Sequence, residues 1–76
     1  MVLTMFVTHT DDGFTAEVSS LKGCDSWAHK EEDAINGVLE LVRFYLNLNE
    51  DVMIRVDKAS KKKNVSTYKL LLAKEL

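Results

Sequence analysis

The sequence predicts an α+β fold, an antiparallel sheet of four or five strands with one long helix packed on one face, in the order β-β-β-α-β-β. Apolar and polar residues alternate over residues 2–9 and 14–18, as in strands. Apolar residues recur every three or four positions over residues 30–46, as in a helix, and alternation returns over residues 52–57. A chain of 76 residues suffices for one compact unit, so we expect residues 1–76 to form a single domain.

The first strands are predicted to form an antiparallel hairpin. Residues 10–13 end in glycine, which adopts the positive φ that tight turns require. Residues 24–28 include Trp27 and are predicted as a short third strand. The alternation places Leu3, Met5 and Val7 on one face of the first strand. In the second strand it places Phe14, Ala16 and Val18 inward.

The helix is expected to begin with three acidic residues and to end in the polar segment 47–51. Negative charge in the first turn suits the positive end of the helix dipole. The apolar stripe that faces the sheet is formed by Ala34, Val38, Leu41, Val42 and Tyr45, and is widened by Ile35, Leu39 and Leu46.

The last third of the chain is predicted as a strand, a loop and a final strand. Residues 52–57 alternate, and residues 58–64 contain three consecutive lysines and are expected to be a polar loop. The last segment, residues 65–76, is either a strand or a short terminal helix, because β-forming residues precede good helix formers. We expect the strand, with one face formed by Tyr68, Leu70 and Leu72.

Charge is distributed unevenly along the chain. Residues 1–51 contain three basic and ten acidic residues, a net charge of −7, and residues 52–76 contain seven basic and two acidic residues, a net charge of +5. The acidic part would attract a basic protein, and the basic part would contact phosphate or the acidic part of another copy.

Four short motifs follow one another in the first two-thirds of the chain. They are Asp-Gly-Phe-Thr-Ala-Glu-Val at residues 12–18, Leu-Lys-Gly-Cys at 21–24, Glu-Asp-Ala-Ile at 32–35 and Tyr-Leu at 45–46. In this order and spacing they resemble the hairpin, the Leu-x-Gly-Cys loop and the helix of HicB-type antitoxins, over residues 2–57. The succession is more specific than any one motif.

The resemblance implies a degenerate ribonuclease-H-like fold and a role without catalysis. Such a domain would bind a small RNA-cleaving HicA-type toxin and block it sterically. The chain departs from the family at Ser19, where proline is common, and at residues 28–30, where Ala-His-Lys replaces Gly-x-Thr and removes a helix cap worth about 1 kcal/mol. Residues 58–76 are expected to be a basic loop plus a final strand, without the DNA-binding domain that many family members add.

No residues stand out as a catalytic, cofactor or metal site. Cys24 is expected to be a buried, inert core residue, because no motif links either histidine to it as a base. The acidic residues near the first turn are expected to form a solvated surface, and the family that the chain resembles has lost the nuclease site.

Two groups of residues are candidate contact sites. Trp27 and His29, with Asp11 and Asp12, would anchor a protein partner, because tryptophan is enriched at interface hot spots. The alternative is that Trp27 covers the end of a thin core. The second group is the lysine run Lys61, Lys62 and Lys63. It could contact phosphate or another copy of the chain. The favoured interpretation is a hairpin tip whose lysines are solvated.

We therefore expect a toxin-binding domain that also forms a homodimer or higher homo-oligomer. A core of this size supplies only about 3–5 kcal/mol, and one cysteine offers no disulfide, so self-association is the expected supplement. Membrane and nucleic-acid partners are not expected, and the free thiol without a secretion signal predicts a cytoplasmic location. The alternative role is a self-associating structural or regulatory domain with no toxin.

Overall fold

The computed structural model of the chain describes residues 1–74 and confirms the α+β fold and the predicted element order. The final two residues of the segment expected as a strand lie outside the described residues. The elements are β1 (Val2–His9), β2 (Phe14–Glu17), β3 (Asp25–Ala28), α1 (Glu31–Tyr45), β4 (Val52–Lys62) and β5 (Val65–Lys74). Among residues 1–74, no helix has the length and apolar character needed to cross a membrane.

The five strands form one antiparallel sheet in the order β3-β2-β1-β5-β4. β1 is central and pairs with β2 on one side and with β5 on the other, for example through Val7↔Ala16 and Met5↔Tyr68. β5 returns between β1 and β4, so β3 and β4 form the two edges of the sheet.

α1 covers one face of the sheet, mainly over β2 and β3. The inward alternation predicted for the hairpin is confirmed, apart from Leu3 and Phe14, which are only partly buried. The buried hydrophobic side chains are Met5, Val7, Ala16, Val18, Cys24, Ala34, Val38, Val42, Tyr68 and Leu70.

The helix stripe is buried over only part of its predicted width. Leu41 and Tyr45 are expected to face the sheet but are 36% and 53% exposed. Val42, in the same last turns, is fully buried, so the helix still packs on the sheet there. Leu41 and Tyr45 are exposed because they lie to one side of the buried line formed by Ala34, Val38 and Val42.

The loop predicted over residues 58–64 is wrong, because β4 continues through Lys62 and only Lys63 and Asn64 form the turn. Lys63 adopts a positive φ of 54° there. A register shift between Lys58 and Ser60 absorbs one residue of β4. The hydrogen-bonded ladder to β5 overrides the polar composition, and lysines are common on edge strands because they oppose pairing with other chains. The final strand, by contrast, is confirmed as β5.

The ends of α1 differ in how well they are capped. Lys30 is the N-cap residue and makes no side-chain hydrogen bond to the first turn, as expected from the missing threonine. At the C-terminus Asn47 has a φ of 52°, its amide donates to the Phe44 carbonyl, and the Leu48 amide donates to the Arg43 carbonyl. These two bonds form a Schellman motif, which satisfies carbonyls that would otherwise lack donors.

Candidate functional site

The edge strand β3 presents Trp27 to solvent on the face opposite α1. Ser26 faces the helix so closely that a Cβ at Gly37 would overlap its hydroxyl oxygen. Because side chains alternate along a strand, Trp27 and Asp25 point to the other, uncovered face. Trp27 is 47% exposed. A large aromatic ring on an edge strand is thus partly exposed to solvent.

Trp27 is held by residues of the first turn and of the segment before α1. Its ring packs edge-on to the His29 ring, with 4.7 Å between centroids. His29 Nδ1 lies 3.0 Å from the carbonyl oxygen of Asp12, so an Nδ1–H donates to that oxygen. A Cβ at Gly13 would lie 2.7 Å from the Trp27 ring and 2.5 Å from the Ala28 carbonyl oxygen, so only glycine fits beneath the tryptophan.

Exposed acids surround this tryptophan. Asp25 pairs with Glu17 in the register of β3 and β2, and both side chains are exposed on the uncovered face. The turn that receives the His29 hydrogen bond contributes two more exposed acids. We call the surface formed by Trp27, His29, Asp11, Asp12, Glu17 and Asp25 the Trp27 edge. The structure therefore brings the predicted pair Trp27 and His29 together with the acidic turn.

The acids of the Trp27 edge are not arranged as a metal site. Within residues 1–74, no group of three or more histidine, cysteine, aspartate or glutamate side chains could hold a metal ion.

A second candidate site is a pocket of about 320 Å³ where β1 ends, β2 begins and the β4–β5 hairpin turns. Val7 and Phe14 form apolar parts of its wall, and Asn64 and Ser66 line it from the hairpin. We call this cavity the lysine pocket. Its ionisable lining residues are His9, Glu31, Lys58, Lys61 and Lys63.

The lysine pocket differs from the lysine run that the sequence singled out. Lys61 and Lys63 line it, Lys62 does not, and Lys58 and His9 join it from positions that the sequence did not single out. Lys58 pairs with Tyr68 and Lys61 with Ser66, whose side chains are buried on the helix side of the sheet. The register shift after Lys58 is what puts both lysines on this side, and nothing local in the sequence predicts that shift.

Backbone and ring contacts hold the walls of the lysine pocket in place. The His9 amide donates to the Asn64 carbonyl at 2.7 Å, which ties the hairpin turn to the end of β1. The rings of His9 and Phe14 stack with 4.5 Å between centroids and 8° between planes. Lys58 Nζ lies 5.8 Å from the centroid of the Tyr68 ring, in the range of a cation–π contact.

Tyr68 and Glu31 interact beside this pocket. Burial raises the pKa of the Tyr68 hydroxyl above its ordinary value, and the Glu31 carboxylate raises it further through its charge and by accepting a hydrogen bond. The Tyr68 hydroxyl therefore stays protonated at neutral pH.

Cys24 is a core residue, as expected. Its side chain is buried, and burial, with a smaller contribution from the Asp25 charge, raises the pKa of its thiol. The Cys24 carbonyl accepts from the Val18 amide, which closes the loop between β2 and β3. A buried thiol with a raised pKa is a poor nucleophile at neutral pH.

The exposed end of α1 forms an apolar surface that the sequence pattern does not predict. Phe44 is 86% exposed and lies beside Leu41 and Tyr45 on the last turns of the helix. We call these three residues the α1 patch. They lie off the buried line of α1, and no element among the described residues covers them.

The chain was compared with family models, with curated proteins and with solved structures, and none of them matches it.

Proposed function

We propose that this chain is a non-catalytic, cytoplasmic protein-binding domain, a HicB-like antitoxin module that binds and sterically neutralises a small RNA-cleaving HicA-type toxin. The observation that supports this most is the Trp27 edge: a half-exposed tryptophan on an edge strand, surrounded by exposed acids. The four motifs shared with HicB-type antitoxins supply the identity of the partner.

The position of Trp27 suits an interface anchor. β3 pairs only with β2, so its outer backbone N–H and C=O groups can pair with a strand of another protein. Tryptophan is enriched at interface hot spots, and His29 and Gly13 hold this ring in one place before binding. A partner therefore meets an anchor that loses little conformational freedom on binding.

The acids of the Trp27 edge would select a basic partner. Complementary charges raise the rate of encounter and reject partners of like charge. A protein that cleaves RNA needs a basic surface to hold phosphates, and this surface is what the acidic edge would cover. Neutralisation then requires only that RNA be excluded, and no chemistry on this chain.

The test is co-expression and co-purification with a HicA-type toxin encoded beside this chain. We expect a stable complex and rescue of growth from the toxin. Trp27→Ala should weaken binding on the order of thirtyfold, the effect of a hot spot of about 2 kcal/mol. Met53→Ala is the matched control, because Met53 is 53% exposed on the opposite edge strand.

Two results would contradict the proposal. One is the absence of any complex with a HicA-type protein, and the other is an equal loss of binding in the Trp27→Ala and Met53→Ala variants.

A self-associating structural or regulatory domain without a toxin is the second candidate, and the α1 patch favours it. Phe44, Leu41 and Tyr45 expose apolar area that a second copy would bury in a homodimer. The basic hairpin of one copy could also meet the acidic part of the other. Sedimentation at low and high salt, with Phe44→Ser as the variant, tests this. A monomer under all conditions would rule it out.

A further inference from the structure

We propose that the lysine pocket binds the phosphate group of a nucleotide, either free or within a single-stranded RNA. This inference goes beyond the toxin-binding role, because it concerns a different surface and a different ligand. It rests on the lysines, the stacked rings and the cavity that the fold brings together.

Positive charge predominates in the lysine pocket. Within the part of the chain that the structure describes, Lys58, Lys61 and Lys63 form no ion pair, since the salt bridge there joins Arg55 and Asp57. The lining also contains one acid, Glu31, so the three lysines leave an excess of positive charge. Three ammonium groups around a concave surface attract a multiply charged anion more strongly than a single carboxylate.

The arrangement of these lysines is set by the hairpin. Lys58 and Lys61 lie on β4, Lys63 lies in the turn, and the bond from the His9 amide to the Asn64 carbonyl fixes the turn against β1. The pocket is at the small end of the range for ligand sites, about 300–1,000 Å³. A phosphate group with its sugar is a ligand of the size that such a pocket admits.

The ring pair favours a nucleotide over inorganic phosphate alone. His9 is exposed, lines the pocket and stacks on Phe14, which holds its ring flat against the wall. Nucleobases stack on aromatic side chains, and such stacking combined with basic residues is the usual mode of single-strand binding. The sequence separates His9 from the lysines by about fifty positions, and only the fold places them together.

The experiment is an amide-resolved NMR titration of the full chain with inorganic phosphate, with uridine monophosphate and with hexauridylate. We expect shifts at His9, Lys61 and Asn64 with the nucleotides, and weaker binding of inorganic phosphate. A higher affinity for hexauridylate than for the mononucleotide assigns RNA as the source of the phosphate, and equal affinity assigns a free nucleotide.

Variants of the lysines distinguish binding in the pocket from non-specific electrostatic binding to the basic hairpin. The double variant Lys61→Ala/Lys63→Ala should lose about tenfold or more in affinity, since hydrogen bonds to charged groups contribute strongly. Lys62→Ala removes one charge from the same hairpin outside the pocket and should lose much less. Lys61→Arg/Lys63→Arg should keep most of the affinity. For hexauridylate, the salt dependence of the double variant should be shallower than that of the unchanged chain.

No shift at the pocket with any of the three ligands would overturn the proposal, as would an equal loss of affinity in the Lys62→Ala and double variants. Neither result bears on toxin binding, which depends on Trp27 at the opposite end of the strand order.

Discussion

At the scale of single residues, Gly13 links the first turn to the Trp27 edge. A Cβ there would meet both the Trp27 ring and the backbone oxygen of Ala28, and the backbone cannot move aside cheaply. The glycine of the hairpin motif therefore does more than permit a turn, because it makes room for the candidate anchor.

We predict that Gly13→Ala destabilises the fold by about 2 kcal/mol, within the usual cost of overpacking. Trp27 is the only tryptophan, so its fluorescence should also shift. Gly23→Ala is the control, because Gly23 has a φ of 83° but no atom near the added methyl group. It should lose stability through backbone strain while leaving the Trp27 emission unchanged. Urea denaturation followed by fluorescence measures both effects, and an unchanged emission in Gly13→Ala would contradict the close contact.

Two buried residues predict loss of stability at alkaline pH. Burial raises the pKa of the Cys24 thiol above its ordinary value of 9.0 and that of the Tyr68 hydroxyl above 10.0. The unfolded chain therefore releases these protons at lower pH than the folded chain. Their stabilising contribution is complete below about pH 9 and is lost as the pH rises through the raised values.

The free energy of unfolding, measured by urea denaturation between neutral pH and pH 11, should fall first above pH 9. In a Cys24→Ala variant the first part of this fall should be absent, and in Tyr68→Phe the part above pH 10 should shrink. A fall that is identical in all three proteins would show that neither group is responsible.

At the scale of elements, α1 begins without a cap and ends with a complete one. Lys30 has the extended backbone of an N-cap residue, with φ −110° and ψ 142°, but its side chain accepts no hydrogen bond from the first turn. The Schellman motif at Asn47 and Leu48 satisfies the other end. The N-terminus is thus the end of the helix where a capping residue would add stability.

We predict that Lys30→Ser stabilises the fold by about 1 kcal/mol, because the hydroxyl oxygen can accept from an amide of the first turn. Lys30→Ala is the matched control, since it removes the lysine without supplying an acceptor. Thermal denaturation of the three proteins measures the difference. Equal stability of the Ser and Ala variants would mean that the backbone at residue 30 does not allow the cap.

At the scale of the whole molecule, the sheet has a well-connected centre and two exposed edges. β1 pairs along most of its length with β5 and at one end with β2, whereas β3 and β4 each have one neighbour. α1 covers mainly the β2–β3 side, so the β4–β5 hairpin depends on strand pairing more than on the helix.

This asymmetry predicts a gradient of hydrogen exchange. Hydrogen-bonded amides of β1 should exchange most slowly, and those near the turn at Lys63 and in β3 should exchange faster, because they open without global unfolding. Exchange followed residue by residue by NMR measures this. Protection at the hairpin tip equal to that of β1 would show that the sheet opens only as one unit.

The sequence could predict the elements but only part of the candidate sites. Alternation and helical spacing are local signals, and they identified every strand and the helix, the buried Cys24, and Trp27 with His29 and the acidic turn. The sequence does not predict the lysine pocket or the α1 patch. The polar neighbours of Lys58 indicate a loop, and the helical spacing of Tyr45 from Ala34 and Val38 indicates a core position.

Local sequence patterns suffice to predict which residues alternate, where the helix begins and ends, and the fold class, because each depends on a few neighbouring residues. Only pairing and packing in the folded chain place β5 between β1 and β4, extend β4 through its lysines and leave Leu41, Phe44 and Tyr45 exposed on α1. These features follow from pairing and packing between residues far apart in the chain. The lysine pocket and the α1 patch are thus properties of the folded chain, and no local pattern predicts them.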